Sequence, residues 1–490
     1  MKKKKLIIVG GGTAGLVAAR KLSQKYDIEI FEKSAHKKLP LIYTIPLMIG
    51  FLFRKKNKYI HLIHLPAPRK RKVPYFVSNI LGGSSVINGC VHVFGSLSLW
   101  QKILDNFSLD INDLKSSYNK IYSKRKHKNS ISISNASVSK LDESFTTALE
   151  ELGIPKGNTE FANTPSVGPI VNTVNVLFRS SVCSLAFKSK IKIKLNTNIN
   201  NLVIDGADNL VGVSDGHENY YADIVVLCAG VIGTNELLLK PTLDISSRNY
   251  KKSRFEAVGP IADHTNLRIN VKSAKSTNSL NEISSSFFSR MNLFINHVFG
   301  KATLMQGTGA TSAVNLDLDN DGEIDTRINL LRFYESGRTG AGTFPSSVPG
   351  FSLSITIINP KSRGNIVLKN GFAEIDPGYL SDNEDIKNIK KALLFSLKLF
   401  KNHKFHGYVD EILEYDEIKK NMDNFISNNV YSGYHLIGGT SKLVGKNFNV
   451  KNMPGLYICD ASILEQYPAS NIHASVVLLA DLFAKKLLLN

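Results

Sequence analysis

Cysteine, tryptophan, methionine and acidic side chains are all scarce in this sequence of 490 residues: 4 Cys, 1 Trp, 6 Met, and 41 Asp plus Glu against 61 Lys plus Arg. Cys90, Cys183, Cys228 and Cys459 lie far apart and form no CxxC pair, which argues against a zinc site and against a disulfide framework. No stretch approaches the roughly 20 uninterrupted apolar residues that a membrane span requires. Internal repeats and long low-complexity segments are also lacking. The excess of cation, +20, is spread along the chain, which describes a generally cationic surface and speaks against nucleic acid as a partner. Two short runs depart from that spread, PRKRK at 68–72 and SKRKHK at 123–128, and both read as anion-binding loops.

What is present is ordinary globular material, 43% hydrophobic and 21% charged, enough for one large domain or two of usual size with a buried cofactor. The start, MKKKKLIIVGGGTAG, imitates a signal peptide. Three consecutive glycines and no small-residue cleavage site make it a strand entering a turn, in a cytoplasmic protein. The apolar segment Leu41 to Phe53 is too short to span a bilayer. Lys37, Lys38, Arg54, Lys55, Lys56 and Lys58 flank it, a pattern shared by an interfacial anchor and by the wall of a buried channel, so peripheral membrane contact stays open. Oligomeric state is not legible.

LIIVG, Leu6 to Gly10, has the continuous apolar character of a strand buried on both faces. GGGTAG follows, then the amphipathic LVAARKLSQK and a second strand, IEIFE. In this strand–turn–helix–strand unit Gly10 allows the tight turn and Gly12 lets backbone approach a pyrophosphate. Gly15 lets helix and strand pack, and Thr13 and Ala14 open the helix whose N-terminus favours negative charge. Glu32 ends the second strand, where a carboxylate can accept hydrogen bonds from an adenosine ribose. This fingerprint alone does not separate FAD from NAD.

Six further blocks follow in order: LGGSSVINGC (Leu81 to Cys90), ADIVVLCAGVIGTNELLL (Ala222 to Leu239), VGPIADH (Val258 to His264), the stretch from Asn359 to Phe400, YSGYHLIGGTSKLVG, and GLYICDASILEQYPASNIHASVVLLADLFAKKL. Together they resemble the glucose-methanol-choline oxidoreductase family. The resemblance implies an α/β protein in which a Rossmann-like FAD-binding domain is interleaved with an α+β substrate-binding domain carrying an antiparallel sheet. Its implied boundaries are 1–264 for the FAD domain, with a lid or channel segment near 35–75, then 265–430 for the substrate domain and 431–490 for the return to the FAD domain. It also implies FAD contacts at Gly82, Gly83, Ser84, Asn88, Gly89, Cys90 and Val91, at Ala229 and Gly230, at Ile199 beside adenine, and at Asp460, Ala461 and Ala474. Ile87 occupies the place where some relatives carry a His bonded covalently to flavin, so the FAD is expected to be non-covalent.

The activity implied is oxidation of the CH–OH group of a small alcohol or sugar-like substrate. His435 matches the family's main base, and His473 is read as the residue that orients the hydroxyl. A neutral imidazole suits the first role because it can take a proton near working pH. The final electron acceptor is oxygen or a quinone-like molecule. An FAD-containing lyase of the same fold and an inactive flavin-binding relative are the alternatives. His264 reads as structural. Lys442, Leu443 and Phe94 depart from residues usual in the family, so no particular substrate transfers. DLDNDGEID, Asp317 to Asp325, starts like a calcium loop, but Ile328 stands where a bidentate carboxylate is needed; a hairpin turn at Asn320-Asp321-Gly322 is expected and no metal site.

Overall fold

The computed structural model describes residues 3–53, 57–124, 129–185, 191–255, 258–335 and 348–489. Its organising element is a parallel sheet ordered Lys192–Lys194, Asp27–Phe31, Lys5–Val9, Ile224–Leu227, Leu456–Ile458. A strand covered on both faces needs apolar side chains in succession, and Leu6, Ile7 and Ile8, in its central strand, are fully buried. The helix Thr13–Leu22 carries Arg20 and Lys21 in its last turn, where cations complement the helix dipole. It packs against the helix Ile472–Leu489, and the pair is tied by an ion pair from Lys21 to Asp481 and a hydrogen bond of 3.2 Å from the Tyr26 hydroxyl to the Leu487 carbonyl. The two ends of the described chain are thereby joined.

A second sheet, antiparallel, runs in the order Glu411–Ile412, Thr265–Lys272, Gly350–Ile357, Thr326–Leu331, Ala310–Leu316, Ser166–Pro169, with Tyr431–Ser432 pairing on Thr265–Lys272. Its strands alternate. Leu267, Ile269, Ile328, Leu330, Leu353 and Ile355 share an apolar core with residues of the helices Lys140–Glu151 and Asn383–Phe400, while polar side chains take the opposite face. The helix Lys140–Glu151 and the strand Ser166–Pro169 therefore pack with the antiparallel sheet although they precede residue 265. A smaller sheet, Asn219–Tyr221, Leu210–Ser214, Asn201–Ile204, Thr242–Asp244 and Asn249–Lys251, completes the architecture of mixed α/β layers.

The expected hairpin joins Ala310–Leu316 to Thr326–Leu331, with Asn320 and Gly322 at positive φ, 63° and 86°. Asp317, Asp319 and Asp325 converge there, their oxygens within 4.8 Å, but they accept loop N–H groups: Asp317 from Asn320 at 2.7 Å and Gly322 at 2.9 Å, Asp325 from Leu318 at 2.7 Å. The run 68–72 corrects its sequence reading. It turns the hairpin Ile60–Ala67 and Arg71–Ser78, and its arginines are engaged: Arg69 reaches Asn424 and Asn428, and Arg71 donates to the carbonyls of Ser427 and Val430. Most of the second basic run, residues 125–128, lies outside the described residues. Leu41 to Phe53 folds as two short turns, Leu41–Thr44 and Pro46–Phe51. Among the described residues no helix is long and apolar enough to cross a membrane. The four cysteines are free.

Candidate active site

The two glycine turns meet at the carboxyl ends of the parallel strands. Gly10, at φ +104°, leaves no room for a side chain, since a Cβ there would stand 2.5 Å from the Cys228 carbonyl oxygen. Gly82 N–H donates to the Gly11 carbonyl at 2.8 Å, and a Cβ on Gly83 would lie 2.9 Å from the Gly12 Cα. Backbone thus lies against backbone, and the turns border a cavity of about 700 Å³, within the roughly 300–1,000 Å³ usual for ligand sites. Gly10, Gly12, Thr13, Ala14, Glu32, Gly83, Ser84, Asn88, Gly89, Cys90, Val91, Ile199, Ala229, Gly230, Asp460 and Ala461 line it, together with His435 and His473. Gly15, Gly82 and Ala474 do not. Gly15 acts from behind, where a Cβ would stand 2.1 Å from the Gly10 oxygen, and Ala474 is buried at the start of the C-terminal helix.

Two buried carboxylates brace the cradle. Glu32 accepts from Gly11 N–H at 2.9 Å and Ser34 N–H at 2.8 Å, so it shapes the glycine turn as well as bordering the cavity. Burial raises its pKa, and those two N–H groups act against the rise. Asp460 accepts from Gly230 N–H at 2.9 Å, the Thr234 hydroxyl at 2.5 Å and Ser462 N–H at 2.9 Å, capping the short turn Ala461–Ile463 while facing the cavity. The glycine cradle, the anion-favouring helix start at Thr13 and these carboxylates fit an extended dinucleotide such as the FAD expected from sequence. Ile87, which also lines the cavity, offers no nucleophile for a bond to it.

At the other end of the cavity His435 is held on every side. Its N–H donates to Asp263 Oδ1 at 2.7 Å and its carbonyl accepts from the Tyr467 hydroxyl at 2.8 Å. Asp263 also accepts from Tyr379 and Ser432, at 2.5 Å each, three bonds that fix the loop carrying the imidazole. His435 Nε2 lies 3.3 Å from Asn471 Nδ2, and its Nδ1 lies 3.0 Å from His264 Nδ1. With the Asn471 amide nitrogen as donor, Nε2 is the accepting nitrogen, and Nδ1 then carries the hydrogen towards His264. Burial pushes the His435 pKa down to about 4 and holds His264 well below its ordinary value, keeping both rings neutral. The site therefore places a neutral imidazole at the cavity, its accepting nitrogen turned to Asn471, which lines the same cavity.

His473 reaches the same cavity, but its Nε2 has no hydrogen-bond partner among the described residues, and burial, with His92 and Arg179 nearby, lowers its pKa to about 3. Asn471, two residues earlier in the same block, is the side chain on His435 Nε2, and no sequence signal singled it out. His264, read from sequence as structural, is the ring on Nδ1. Its role depends on a contact across 171 residues that no local pattern announces.

Residues 360–480 match the model of the GMC oxidoreductase family, and residues 8–37 that of the NAD(P)-binding Rossmann-like domain. An oxygen-dependent choline dehydrogenase from Acinetobacter baumannii is 22% identical over 99% of this chain and 97% of its own length. A chloroplastic fatty acid photodecarboxylase from Chlamydomonas reinhardtii is 27% identical over 34% of this chain and 28% of its own length. The crystal structure of pyridoxine 4-oxidase from Mesorbium loti superposes with a TM-score of 0.82 at 19% identity, covering 100% of both chains.

Proposed function

We propose that this chain, whose residues 360–480 match the GMC oxidoreductase family model, is an FAD-dependent oxidoreductase that oxidises the CH–OH group of a small alcohol, with oxygen or a quinone-like molecule as final acceptor. The observation that carries this reading is a single cavity lined both by the glycine cradle and by the neutral imidazole of His435 with Asn471 on its Nε2. Bound FAD supplies the acceptor for the hydride that leaves the carbinol carbon. Gly10, Gly12 and Gly83 would give backbone access for its pyrophosphate, and Glu32 and Ile199 would hold its adenosine end. His435 Nε2 takes the hydroxyl proton, while Asn471 and His473 hold the hydroxyl oxygen as negative charge grows on it. His264 keeps the far side of the base in one tautomer.

The test is anaerobic mixing of purified protein with a panel of alcohols. A yellow protein whose colour bleaches with one of them, and which releases free FAD on denaturation, is the expected result. A colourless protein that takes up no FAD overturns the reading. The likeness to a photodecarboxylase favours a second reading, in which the flavin is kept for a reaction other than alcohol oxidation; product formed without net bleaching would select it.

We propose also that the mouth of the cavity rests on an anionic membrane. The helix Phe287–Val298 buries only His297, leaving Phe287, Phe288, Met291, Phe294, Ile295 and Val298 exposed, Phe288 to 82%. The turn Leu304–Gln306 touches both this helix and Pro46–Phe51, next to the exposed Leu41, Ile42 and Phe51, so the apolar surface is shared, and Ile49, Gly50 and Phe53 continue it to the cavity. No Asp or Glu occurs in 33–104 or in 283–316. An apolar face with a cationic surround matches anionic headgroups over acyl chains. Vesicles of phosphatidylglycerol should sediment with the protein far better than phosphatidylcholine vesicles. The double substitution Phe288→Asp, Phe294→Asp should weaken that binding roughly tenfold or more. Equal, weak binding to both vesicles, or a doubled mass in lipid-free solution that the double variant abolishes, would instead make the face inert or an interface between copies.

A further inference from the structure

The antiparallel sheet turns a polar face towards the cavity. On Thr326–Leu331, Ile328 and Leu330 enter the apolar core, which sends Arg327 and Asn329 the other way. Register sets Arg327 beside Thr356 and Asn329 beside Ser354, and sets those two beside Asn266 and Arg268; all six line the cavity.

The two arginines are placed differently. Arg268 pairs with Glu335 at 3.1 Å and lies over the rings of Phe333 and Tyr431. Arg327 is buried to 2% exposure, and its acceptors among the described residues are neutral. Its Nε donates to Asn329 Oδ1 at 3.0 Å, and its Nη1 donates to the Thr159 carbonyl at 2.7 Å and Asn315 Oδ1 at 2.8 Å. Among the described residues Nη2 has no hydrogen-bond partner and no carboxylate forms an ion pair with this guanidinium.

The acidic groups of the cavity are engaged elsewhere: Glu335 with Arg268, Glu236 with Lys240 at 2.7 Å, and Glu32 and Asp460 with backbone N–H groups at the dinucleotide end. Burial lowers the Arg327 pKa to about 9, which still leaves it charged at neutral pH. A buried charge without a counter-charge is costly, and burying a guanidinium for packing alone would leave that cost uncompensated. The position is also linked to the base through the neighbouring strand. Ile358, two residues beyond Thr356 and itself lining the cavity, lies against His264, the ring on which His435 Nδ1 rests.

We propose that the substrate is a small hydroxy acid whose carboxylate is held by Arg327 while its carbinol carbon lies at His435. This rests on the reading of the cavity as an alcohol-oxidising site. The carboxylate takes no part in bond making. Its role is to supply the missing counter-charge and to fix which carbon faces the base.

The test uses FAD-loaded enzyme with two pairs of probes. Benzoate and benzamide are titrated calorimetrically, a readout independent of turnover, and 4-(hydroxymethyl)benzoate and benzyl alcohol are compared as substrates with a dye acceptor. Benzoate should bind roughly tenfold or more tighter than benzamide. Arg327→Met should erase that preference by weakening benzoate about 10- to 100-fold, and Arg327→Lys should restore part of it. The same loss should appear in KM for the carboxylate alcohol. Equal binding of benzoate and benzamide by the unaltered enzyme overturns the proposal whether or not the variants fold, as does a preference that survives Arg327→Met. Alcohols oxidised without a carboxylate preference would sink this inference and leave the oxidoreductase reading standing. A benzoate preference in a protein that oxidises no alcohol would sink the oxidoreductase reading and the hydroxy-acid substrate with it, leaving only a carboxylate site at Arg327.

Discussion

Replacing His435 by Ala should slow flavin reduction by roughly 10²- to 10⁴-fold, the range expected when a positioned base is removed, with FAD still bound. The separation of effects follows from the geometry. The cradle is built from backbone at Gly10, Gly12 and Gly83, while Asp263 holds the His435 backbone and His264 and Asn471 hold its imidazole elsewhere in the cavity. His435→Asn should fare nearly as badly, because an amide cannot accept the proton. Asn471→Ala and His473→Ala should each do less harm, and either one combined with His435→Ala should add little, since all three act on one hydroxyl. The unaltered enzyme should also keep its rate far into acid. With the pKa of His435 near 4, the proton-accepting form persists as pH falls below the ordinary imidazole value and is lost only around 4. A kcat/KM profile falling with a midpoint near 6.5, or full reduction rates in His435→Ala, would remove His435 from the base role.

Gly10→Val should leave no usable enzyme. The residue sits at φ +104°, which a β-branched side chain resists, and its Cβ would be 2.5 Å from one backbone oxygen and 2.9 Å from the Ala229 Cα. Neither neighbour can yield, because Cys228 and Ala229 follow the strand Ile224–Leu227, which pairs with Lys5–Val9 along its length. The combined strain and steric clash should cost about 3–5 kcal/mol. Whatever folds should carry little FAD, because the same turn faces the pyrophosphate site. Gly50→Ala is the matched control, since a Cβ there meets nothing within 4 Å. Melting temperature and the ratio of flavin to protein absorbance read both variants. A yellow, equally stable Gly10→Val protein would mean that the turn is not the cradle.

What could be read from sequence was what local physics dictates. The run Leu6 to Gly10 announces a doubly covered strand, the three glycines a backbone pressed against something, and Asn320-Asp321-Gly322 a hairpin. Each of these depends on a few consecutive residues. The details of the site depend instead on register between distant strands. Arg327 looks like any strand cation until the pairing of Thr326–Leu331 with Gly350–Ile357 turns it inward. Sequence points to His473 ahead of Asn471, because chemistry favours the imidazole when geometry is unknown. Arg69 and Arg71 looked like anion binders because their carbonyl and amide partners, at 424–430, lie more than three hundred residues away.

The order of strands in the parallel sheet also bears on how the chain is made. Lys5–Val9 and Asp27–Phe31 leave the ribosome early, yet the outer strand beside Ile224–Leu227 is Leu456–Ile458. At about 5–20 residues per second, that edge of the sheet stays open for roughly ten seconds to a minute. Meanwhile most of the antiparallel sheet, encoded between those two strands, can assemble. The unfinished nucleotide-binding half must therefore wait with exposed backbone N–H and C=O groups, the kind of edge that recruits another nascent chain. Slowing growth, cooling the culture or supplying more chaperone should thus raise the yield of active protein more than any change to the finished molecule's stability.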